Sequence, residues 1–341
     1  MIDEEIKPLK EEPKINPLDK LYFSIFQFTA EVTEDIFISE YKGSTFRGGF
    51  GKSFYNMVCI NPEEKDCHKC IINKNCSYHK IFNSSISEET SIKLNIATTA
   101  PRPYIIEPPA TNQRKYVVGE QFTFSLILTG WAIEYLPYFI IVFERLGERY
   151  GIGSASEGHR GRFFIASVKC CGKIIYSNES RFLETNFPSK TIADLKTLNH
   201  AKRIRLNFLT PTRLEIQHER KILENSNDFT TFIIRLYNRL FSLQEIYCGN
   251  GSMNEYSHKQ LETKAKEVKL IRSNLEWHDL ERYTRPDKED EKKKIVMKYG
   301  GFVGEVVFEG NIEPFFSIIT LGEVLHVGKY YTFGLGKYEI L

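Results

Sequence analysis

Four cysteines in the first quarter of the chain have the spacing of a metal site. They follow the pattern C-x7-C-x2-C-x5-C, at Cys59, Cys67, Cys70 and Cys76. Four thiolates so close in sequence suit tetrahedral Zn²⁺, which favours soft sulfur ligands in closed structural sites. His68 and His79 are reserve ligands, and an iron–sulfur cluster on the same thiolates is the alternative. Because four thiolates would fill the coordination sphere, we expect a structural metal and not a catalytic one.

The C-terminal end of the chain contains a second pattern, rich in glycine and lysine. A Gly-Gly-Phe-x-Gly segment starts at Gly300, and further on comes the run His326-Val-Gly-Lys-Tyr-Tyr-Thr-Phe-Gly-Leu-Gly-Lys337. Glycine lets a backbone approach a phosphate closely, and lysine supplies positive charge. The residues predicted to make such contacts are Gly328, Lys329, Gly334, Gly336 and Lys337. On spacing alone, a glycine-rich hairpin with solvated lysines explains the pattern equally well.

Bulk composition limits the classes of function without choosing among them. The chain has 341 residues, 41% of them hydrophobic, and a formal net charge of only +2. This length and composition fit a globular protein with two domains. Nucleic-acid binding therefore has to come from local basic faces and not from overall charge. An NTPase is excluded, because Phe46 stands where a P-loop motif ending in Gly51-Lys52-Ser53 requires a glycine.

The N-terminus and the apolar segments indicate where in the cell the protein is expected. Residues 1–20 are acidic, interrupted by proline and without an apolar core, so we expect a flexible N-terminus and neither a signal peptide nor a membrane anchor. The longest apolar run, around Tyr135 to Phe143, contains Pro137 and is too short to span a bilayer. We therefore expect a cytoplasmic protein whose seven cysteines stay reduced and form no disulfide framework.

Hydrophobic periodicity predicts a similar succession of elements in each half of the chain. In the first half, strands are predicted over 21–28, 102–107, 122–128 and 162–168, and helices over 43–58 and 131–146. In the second half, strands are predicted over 202–208, 302–308 and 338–341, and helices over 229–247, 254–277 and 313–325. Each half thus follows the split βαβ plan. The predicted fold is α+β, with two tandem ferredoxin-like (RRM-like) domains over 21–195 and 196–341, a C-terminal glycine-rich loop, and a cysteine-rich loop over 59–80 inserted in the first domain.

The C-terminal motif resembles the glycine-rich loop that ends the RAMP endoribonucleases of CRISPR systems. Trp277 and the run Arg282-Tyr283-Thr284-Arg285 before the Gly-Gly pair resemble the branch of that family whose N-terminal domain carries cysteines. The run from Phe46 to Lys52 resembles the start of the helix that lines the family's cleavage site. The resemblance covers the C-terminal domain well and the N-terminal half more loosely. It implies an endoribonuclease that cuts precursor CRISPR RNA within its repeats, without a catalytic metal, by attack of a 2′-hydroxyl on the neighbouring phosphate.

The implied cleavage reaction requires a base, an acid and a cation. Of the eight histidines, His326 abuts the glycine-rich loop and is the first candidate, because histidine transfers protons near neutral pH. A histidine there would also cap a helix C-terminus favourably, and this alternative carries equal weight. Family members often carry a catalytic histidine on or just after the first-domain helix, but 43–58 contains none. Tyr55 and Lys52 are therefore further catalytic candidates, with Tyr41 a weaker option. His159, flanked by Arg160 and Arg162, is another.

Basic residues of both halves are predicted to bind the RNA. Strand 202–208 would place Arg203 and Arg205 on the face opposite its apolar residues. The full predicted set is Arg47, Arg203, Arg205, Arg282, Arg285, Gly328, Lys329, Gly334, Gly336 and Lys337. The implied partners are CRISPR repeat RNA and other subunits of CRISPR-associated complexes. Two alternatives stay open: a non-catalytic RAMP subunit that binds processed CRISPR RNA, and a zinc-stabilised protein-interaction module that binds no RNA.

Overall fold

A computed structural model describes most of the chain. It covers residues 18–64, 66–94, 100–156, 159–195, 202–216, 219–225, 228–249, 255–284 and 295–341. Most of the predicted flexible N-terminus, residues 1–17, lies outside the described residues. Residues 18–20 form a turn in which Leu18 is fully buried. None of the helices in the described ranges is both long enough and apolar enough to cross a membrane.

The N-terminal domain is an antiparallel sheet that packs against two helices. Its elements in chain order are β1 (Phe23–Glu34), β2 (Ile36–Phe37), α1 (Gly43–Val58), α2 (Ser77–Phe82), α3 (Glu88–Leu94), β3 (Tyr104–Glu107), β4 (Lys115–Tyr116), β5 (Gln121–Thr129), α4 (Leu136–Arg145), β6 (Ile152–Ser156), β7 (His159–Cys170) and β8 (Lys173–Ser177). The strand order is β3-β5-β1-β7-β6, with β8 beside β7. Phe50 on α1 and Phe143 on α4 pack together over the sheet.

The C-terminal domain repeats this construction. Its elements are β9 (Arg203–Thr212), β10 (Leu214–Ile216), β11 (Glu219–Lys221), α5 (Asp228–Tyr247), α6 (Glu255–Ala265), β12 (Lys269–His278), β13 (Glu281–Thr284), β14 (Ile295–Lys298), β15 (Gly301–Glu309), α7 (Phe316–Leu325) and β16 (Tyr338–Ile340). The main sheet has the order β12-β15-β9-β16. Phe232 on α5 stacks on Phe308 of β15, which places this helix over the sheet.

The two strand orders confirm the predicted fold class. In each domain the second, third, first and fourth main strands lie side by side, as β3-β5-β1-β7 and as β12-β15-β9-β16. One helix follows the first strand and another follows the third, which is the ferredoxin-like arrangement. The protein therefore contains two tandem ferredoxin-like domains. The predicted boundary at 195/196 falls at the edge of a stretch, 196–201, outside the described residues.

The predicted long helix over 254–277 is wrong in its second half. Helix α6 ends at Ala265, and β12 then pairs antiparallel with β15, for example Trp277 with Phe302. In β12 the half-buried Leu275 and Trp277 alternate with exposed polar residues. This alternation of period two is the signature of a strand with one covered face.

The two domains share part of one hydrophobic core. Strand β5 contains the run Leu126-Ile127-Leu128, in which all three side chains are buried. Successive strand residues point to opposite faces, so both faces of the sheet are covered at this point. Leu126 and Leu128 belong to the core of the N-terminal domain, whereas Ile127 and the neighbouring Ile105 pack into the core of the C-terminal domain. This contact fixes the orientation of one domain on the other.

Replacing Ile127 by alanine tests this shared core. The substitution removes buried aliphatic volume, so we expect it to lower the free energy of unfolding by about 2–4 kcal/mol in urea denaturation. The control is Ile92→Ala on α3, where the side chain is 80% exposed. That change should cost less than about 0.5 kcal/mol. Equal effects of the two substitutions would contradict the shared core.

Candidate nucleic-acid site at the domain junction

The glycine-rich loop, residues 326–337, connects α7 to β16 and lies against the N-terminal domain. The Tyr41 hydroxyl donates a hydrogen bond to the Phe333 carbonyl at 2.6 Å. A Cβ on Gly43, the first residue of α1, would lie only 2.0 Å from the same carbonyl oxygen. Only glycine permits so close an approach. The loop and the start of α1 therefore form one continuous surface.

The loop glycines pack against protein. Gly336 has a φ of 75°, and a Cβ there would lie 1.8 Å from the Val327 carbonyl oxygen. The amides of Gly334 and Gly336 donate to Tyr331 and Pro211. A Cβ on Gly328 would lie 2.5 Å from a carbonyl oxygen of the β9–β10 segment. The predicted phosphate contacts of the Gly334 and Gly336 amides are therefore not available in this arrangement, because both N–H groups are already bonded within the protein.

His326 is enclosed at the base of this loop. Its side chain has no exposed surface, and Nδ1 lies 2.9 Å from the Leu335 carbonyl oxygen. Nε2 lies 2.9 Å from Oε1 of Glu107, at the end of β3. Both ring nitrogens thus lie at hydrogen-bond distance from protein oxygens. The ring has no contact with solvent. This geometry assigns His326 to holding the loop, at the C-cap of α7, and not to touching RNA.

Glu107 joins the two domains through two basic side chains. Besides His326, the Lys337 ammonium lies 2.8 Å from the same carboxylate oxygen. Burial alone would raise the pKa of Glu107, but the His326 hydrogen bond and the charges of His326 and Lys337 outweigh it and lower the pKa to about 2. Glu107 is therefore ionised under all ordinary conditions.

Arg239 on α5 holds the loop from within the C-terminal domain. Its guanidinium lies 3.7 Å from the centroid of the Tyr331 ring and donates to the backbone carbonyls of Leu325 and His326, the latter at 2.7 Å. Burial lowers the pKa of Arg239. The Tyr331 hydroxyl in turn accepts from the Arg102 amide at 2.5 Å. The loop is thus fixed by contacts from both domains.

Arg47 on α1 is the cation best placed to bind an anion at this junction. Its guanidinium lies 4.0 Å from the ring centroid of Phe82 and 5.2 Å from that of Phe333. The buried Nε has no hydrogen-bond partner. Among the described residues, no carboxylate lies within ion-pair distance of Arg47. The guanidinium is therefore positioned by aromatic rings, and no carboxylate of the described ranges compensates its charge.

The predicted lysines of the loop already have carboxylate partners. Lys329 is bonded to Glu215, which also lies 2.7 Å from the Arg213 guanidinium. Lys337 is bonded to Glu107. Both ammonium groups remain partly exposed, at 53% for Lys329 and 38% for Lys337. An RNA phosphate can reach them, but it competes with these carboxylates.

Aromatic rings and a cleft complete the junction. Tyr299 lies with its ring centroid 6.1–6.3 Å from those of Tyr41, Tyr330 and Phe333. A cleft of about 540 Å³ opens between residues 40–42 and 107–112 of one domain and residues 209–211, Gly334 and Lys337 of the other. The cleft is lined by charges of both signs, Glu40 and Glu107 with Lys42 and Lys337. The half-buried rings of Tyr41, Tyr330 and Phe333 are suited to stacking on unpaired bases.

The other catalytic candidates lie away from the loop. Tyr55 is eight residues beyond Arg47, about 12 Å further along α1. A hydrogen bond with Cys59, burial and the neighbouring thiols raise the pKa of Tyr55 to about 12. Lys52 is exposed on α1. The structure therefore does not bring His326, Tyr55 and Lys52 together in one site.

The predicted basic face of the C-terminal sheet is of mixed charge. Arg203 and Arg205 are both exposed on β9, as the alternation predicts. However, Arg203 is paired with Glu309 on the adjacent strand, whereas Arg205 lies opposite Val307. Of the two remaining arginines, Arg282 lies on β13 and Arg285 lies outside the described residues.

The four cysteines of the predicted metal site lie close together. Cys59, Cys67, Cys70 and Cys76 all line one cavity of about 20 Å³, together with Tyr55 and His79. Burial raises the pKa of Cys67, and the other three thiols contribute to the shift. Within the described ranges, no three His, Cys, Asp or Glu side chains already form a metal-ligand set.

Sequence reasoning missed two residues that fix the loop. Glu107 ends a predicted strand, and nothing in its local sequence indicates a partner 219 residues away. Arg239 could have been found, because it lies three residues after Leu236 and four before Leu243, both buried. A charged residue on the apolar face of an amphipathic helix indicates a buried polar contact.

Family models match both domains. Residues 206–338 match the model described as CRISPR-associated endoribonuclease Cas6, and residues 21–187 match a model described as the AF_1859 N-terminal domain. An uncharacterized protein of Archaeoglobus fulgidus is 25% identical over 305 residues, which are 87% of this chain and 91% of that protein.

Solved structures with the same fold are found over nearly the whole chain. A Cas6 product complex from Thermus thermophilus has a TM-score of 0.51 at 12% identity, covering 94% of this chain and 99% of that one. A chain of a partial Cas6-RT-Cas1–Cas2 complex has a TM-score of 0.53 at 12% identity, covering 94% of this chain and 46% of that one. At this identity the likeness shows a shared fold.

Replacing Glu107 by glutamine tests the bond between the domains. We expect a loss of about 3 kcal/mol at pH 7, because the enclosed His326 and the half-buried Lys337 both lose their carboxylate partner. The pKa of Glu107 is lowered from an ordinary value of 4.5 to about 2. Its stabilisation is therefore fully present above the ordinary value and is lost as the pH falls from there through about 2.

The measurement is urea denaturation of both proteins at several pH values from 7 to 3. The difference between wild type and Glu107→Gln should be constant above about pH 5.5 and shrink below pH 4.5. Glu276→Gln, an exposed position on β12, is the control and should match wild type throughout. A difference that does not change with pH would argue against the ionised bond.

Proposed function

Since this chain belongs, through its C-terminal domain, to the CRISPR-associated endoribonuclease Cas6 family, we propose that it binds precursor CRISPR RNA and cuts it within the repeats. The observation that supports this best is the meeting of α1 with the glycine-rich loop. There the uncompensated guanidinium of Arg47 lies beside Phe333. A fixed cation beside aromatic rings suits one phosphate and an adjoining unstacked base.

The proposed reaction needs no metal. The 2′-oxygen of one nucleotide attacks the adjacent phosphorus, the bond from phosphorus to the 5′-oxygen breaks, and a cyclic phosphate remains. The 2′-hydroxyl loses its proton to a base, and the departing 5′-oxygen gains one from an acid. Arg47 stabilises the negative charge that builds up on the phosphate oxygens, and it acts without reorganisation because Phe82 and Phe333 hold it.

The loop is assigned to binding and positioning. His326 is a positioning residue, since its ring is bonded to Glu107 and Leu335 and has no exposed surface. Lys329 and Lys337 bind phosphates by exchanging their carboxylate partners for RNA. Tyr330, half-buried on the loop, stacks on a base.

Proton transfer is assigned to α1. Lys52 is exposed there and meets RNA that extends along the helix from Arg47. Tyr55 comes second, since its hydroxyl bonds Cys59 on the side of the cysteine loop. Cleavage then depends mainly on positioning and charge stabilisation.

A non-catalytic RNA-binding role is the second candidate. The enclosure of His326 favours it, and no histidine lines the described cleft. Such a protein would use the same loop, arginine and aromatic rings to bind CRISPR RNA without cutting it.

A cleavage assay with labelled repeat RNA in EDTA tests the proposal. We expect specific cutting by wild type, and a loss of about 100-fold to 1000-fold in Arg47→Ala because the charge stabiliser is removed. Lys52→Ala should also cut more slowly. Arg181→Ala, exposed on the loop after β8, is the control and should retain wild-type activity.

The other outcomes separate the two candidates. Tight binding without any cutting by wild type would establish the non-catalytic role. Loss of cutting on removal of divalent ions would exclude the metal-free reaction. If repeat RNA is not bound at all, both candidates fail.

The salt dependence of RNA affinity tests the phosphate contact of Arg47. The slope of log affinity against log salt concentration should fall by about one phosphate contact, roughly 0.7–0.9, in Arg47→Ala. Arg181→Ala should leave the slope unchanged. A weaker affinity with an unchanged slope would mean that Arg47 acts on the fold and not on a phosphate.

A further inference from the structure

The segment of residues 59–76 between α1 and α2, the cysteine loop, has a construction that RNA cleavage does not use. All four of its thiols line the same cavity of about 20 Å³. A space of this size holds about one water-sized sphere. Four sulfur donors around a cavity that can hold a single ion are typical of a structural metal site.

None of the described residues of the cysteine loop belongs to the buried hydrophobic core. Of its three isoleucines, Ile60 and Ile71 are 76% and 92% exposed, and Ile72 is half-buried against the cavity. Local turns hold the backbone, such as the bond from the Asn73 amide to the Cys70 carbonyl. The thiols are free, so no disulfide closes the segment. A metal ion is the cross-link that such a segment can still acquire.

His79 supplies an independent indication. The residue is only 8% exposed and lines the same cavity, yet its buried Nδ1 has no hydrogen-bond partner. Its Nε2 lies 3.2 Å from the Ser85 hydroxyl. When that hydroxyl donates to Nε2, the proton of the ring stands on Nδ1. This unpartnered N–H lies beside four cysteine sulfurs, and a thiolate is a suitable acceptor for it. Ligands of bound metals commonly accept such hydrogen bonds from neighbouring residues.

We propose that the cysteine loop binds one Zn²⁺ through the thiolates of Cys59, Cys67, Cys70 and Cys76, with Nδ1–H of His79 donating to one of them. The four thiols give up their protons to solvent as four zinc–sulfur bonds form, and no electron is transferred. The described side chains do not already form a ligand set, so the thiols close around the ion as it binds.

A bound zinc ion would also position the start of α2 and, through it, Arg47. Only the importance of this effect for RNA cleavage rests on the proposed function. Helix α2 begins at Ser77, directly after the last ligand. Within α2, Tyr78 stacks on Phe82 at 5.0 Å, and Phe82 lies under the Arg47 guanidinium at 4.0 Å. Zinc fixes the start of α2 and thereby the aromatic support of Arg47.

Metal analysis of the purified full-length protein tests the proposal. Native mass spectrometry and elemental analysis should find one zinc per chain in wild type and in Cys171→Ser, which removes an exposed thiol outside the loop. Cys59→Ser and Cys67→Ser should each retain less than a tenth of it. His79→Ala should keep the zinc but release it to a chelator about tenfold faster.

A second measurement uses wild type alone, so that misfolding of a variant cannot mimic the result. Chelation should make 59–76 sensitive to protease, and Zn²⁺ but not Mg²⁺ should restore protection. Wild type without zinc, iron with sulfide in its place, or zinc kept by Cys59→Ser but lost by His79→Ala would each overturn the proposal. If the protein contains one zinc but cuts no RNA, the zinc site is supported and only the proposed RNA cleavage is refuted.

Discussion

The position of the glycine-rich loop depends on a carboxylate from the opposite domain. Glu107, at the end of β3, binds both His326 and Lys337, which are the first and last residues of the loop. Two basic side chains share this one half-buried carboxylate, so loss of Glu107 would leave both of them without their carboxylate partner. The orientation of the domains and the shape of the loop are therefore set together.

The contacts of Glu107 set the shape of the loop because other residues hold the rest of the loop in place. Arg239 fixes the carbonyls at the end of α7, and Tyr41 fixes the carbonyl of Phe333. The polar groups of the loop are largely consumed in holding it. What is left for an incoming ligand is the guanidinium of Arg47, the aromatic rings and the cleft between the domains. A site built in this way is rigid before RNA arrives, which is the condition for electrostatic preorganisation.

The fold followed from hydrophobic periodicity, because the helices and strands of both domains are amphipathic over several turns or several alternations. The prediction of a helix over 254–277 failed in its second half, where a short polar helix is followed by a strand whose single covered face contains only a few apolar residues. Strand β12 is stabilised by its partner β15, and a pairing of that kind is not visible in a local window.

The site was less predictable than the fold. The sequence motif located the loop and Arg47, but it could not show that His326 would be enclosed, since its partner Glu107 lies in the other domain. In the same way, alternation placed Arg203 correctly on an exposed face, while its charge is compensated by Glu309 from a strand 106 residues further along. Exposure is a local property of a strand, whereas electrostatic compensation depends on the whole topology.

The carboxylates bonded to Lys329 and Lys337 have a consequence for selectivity. A lone phosphate offers each lysine the same kind of partner that it already has, so the exchange brings little net gain. A polyanion is different, because one chain can replace both carboxylates while it also engages Arg47, and the contacts then share a single entropic cost of association. The glutamates thus act as internal competitors. In the proposed function, this competition favours a long RNA strand over free phosphates and nucleotides.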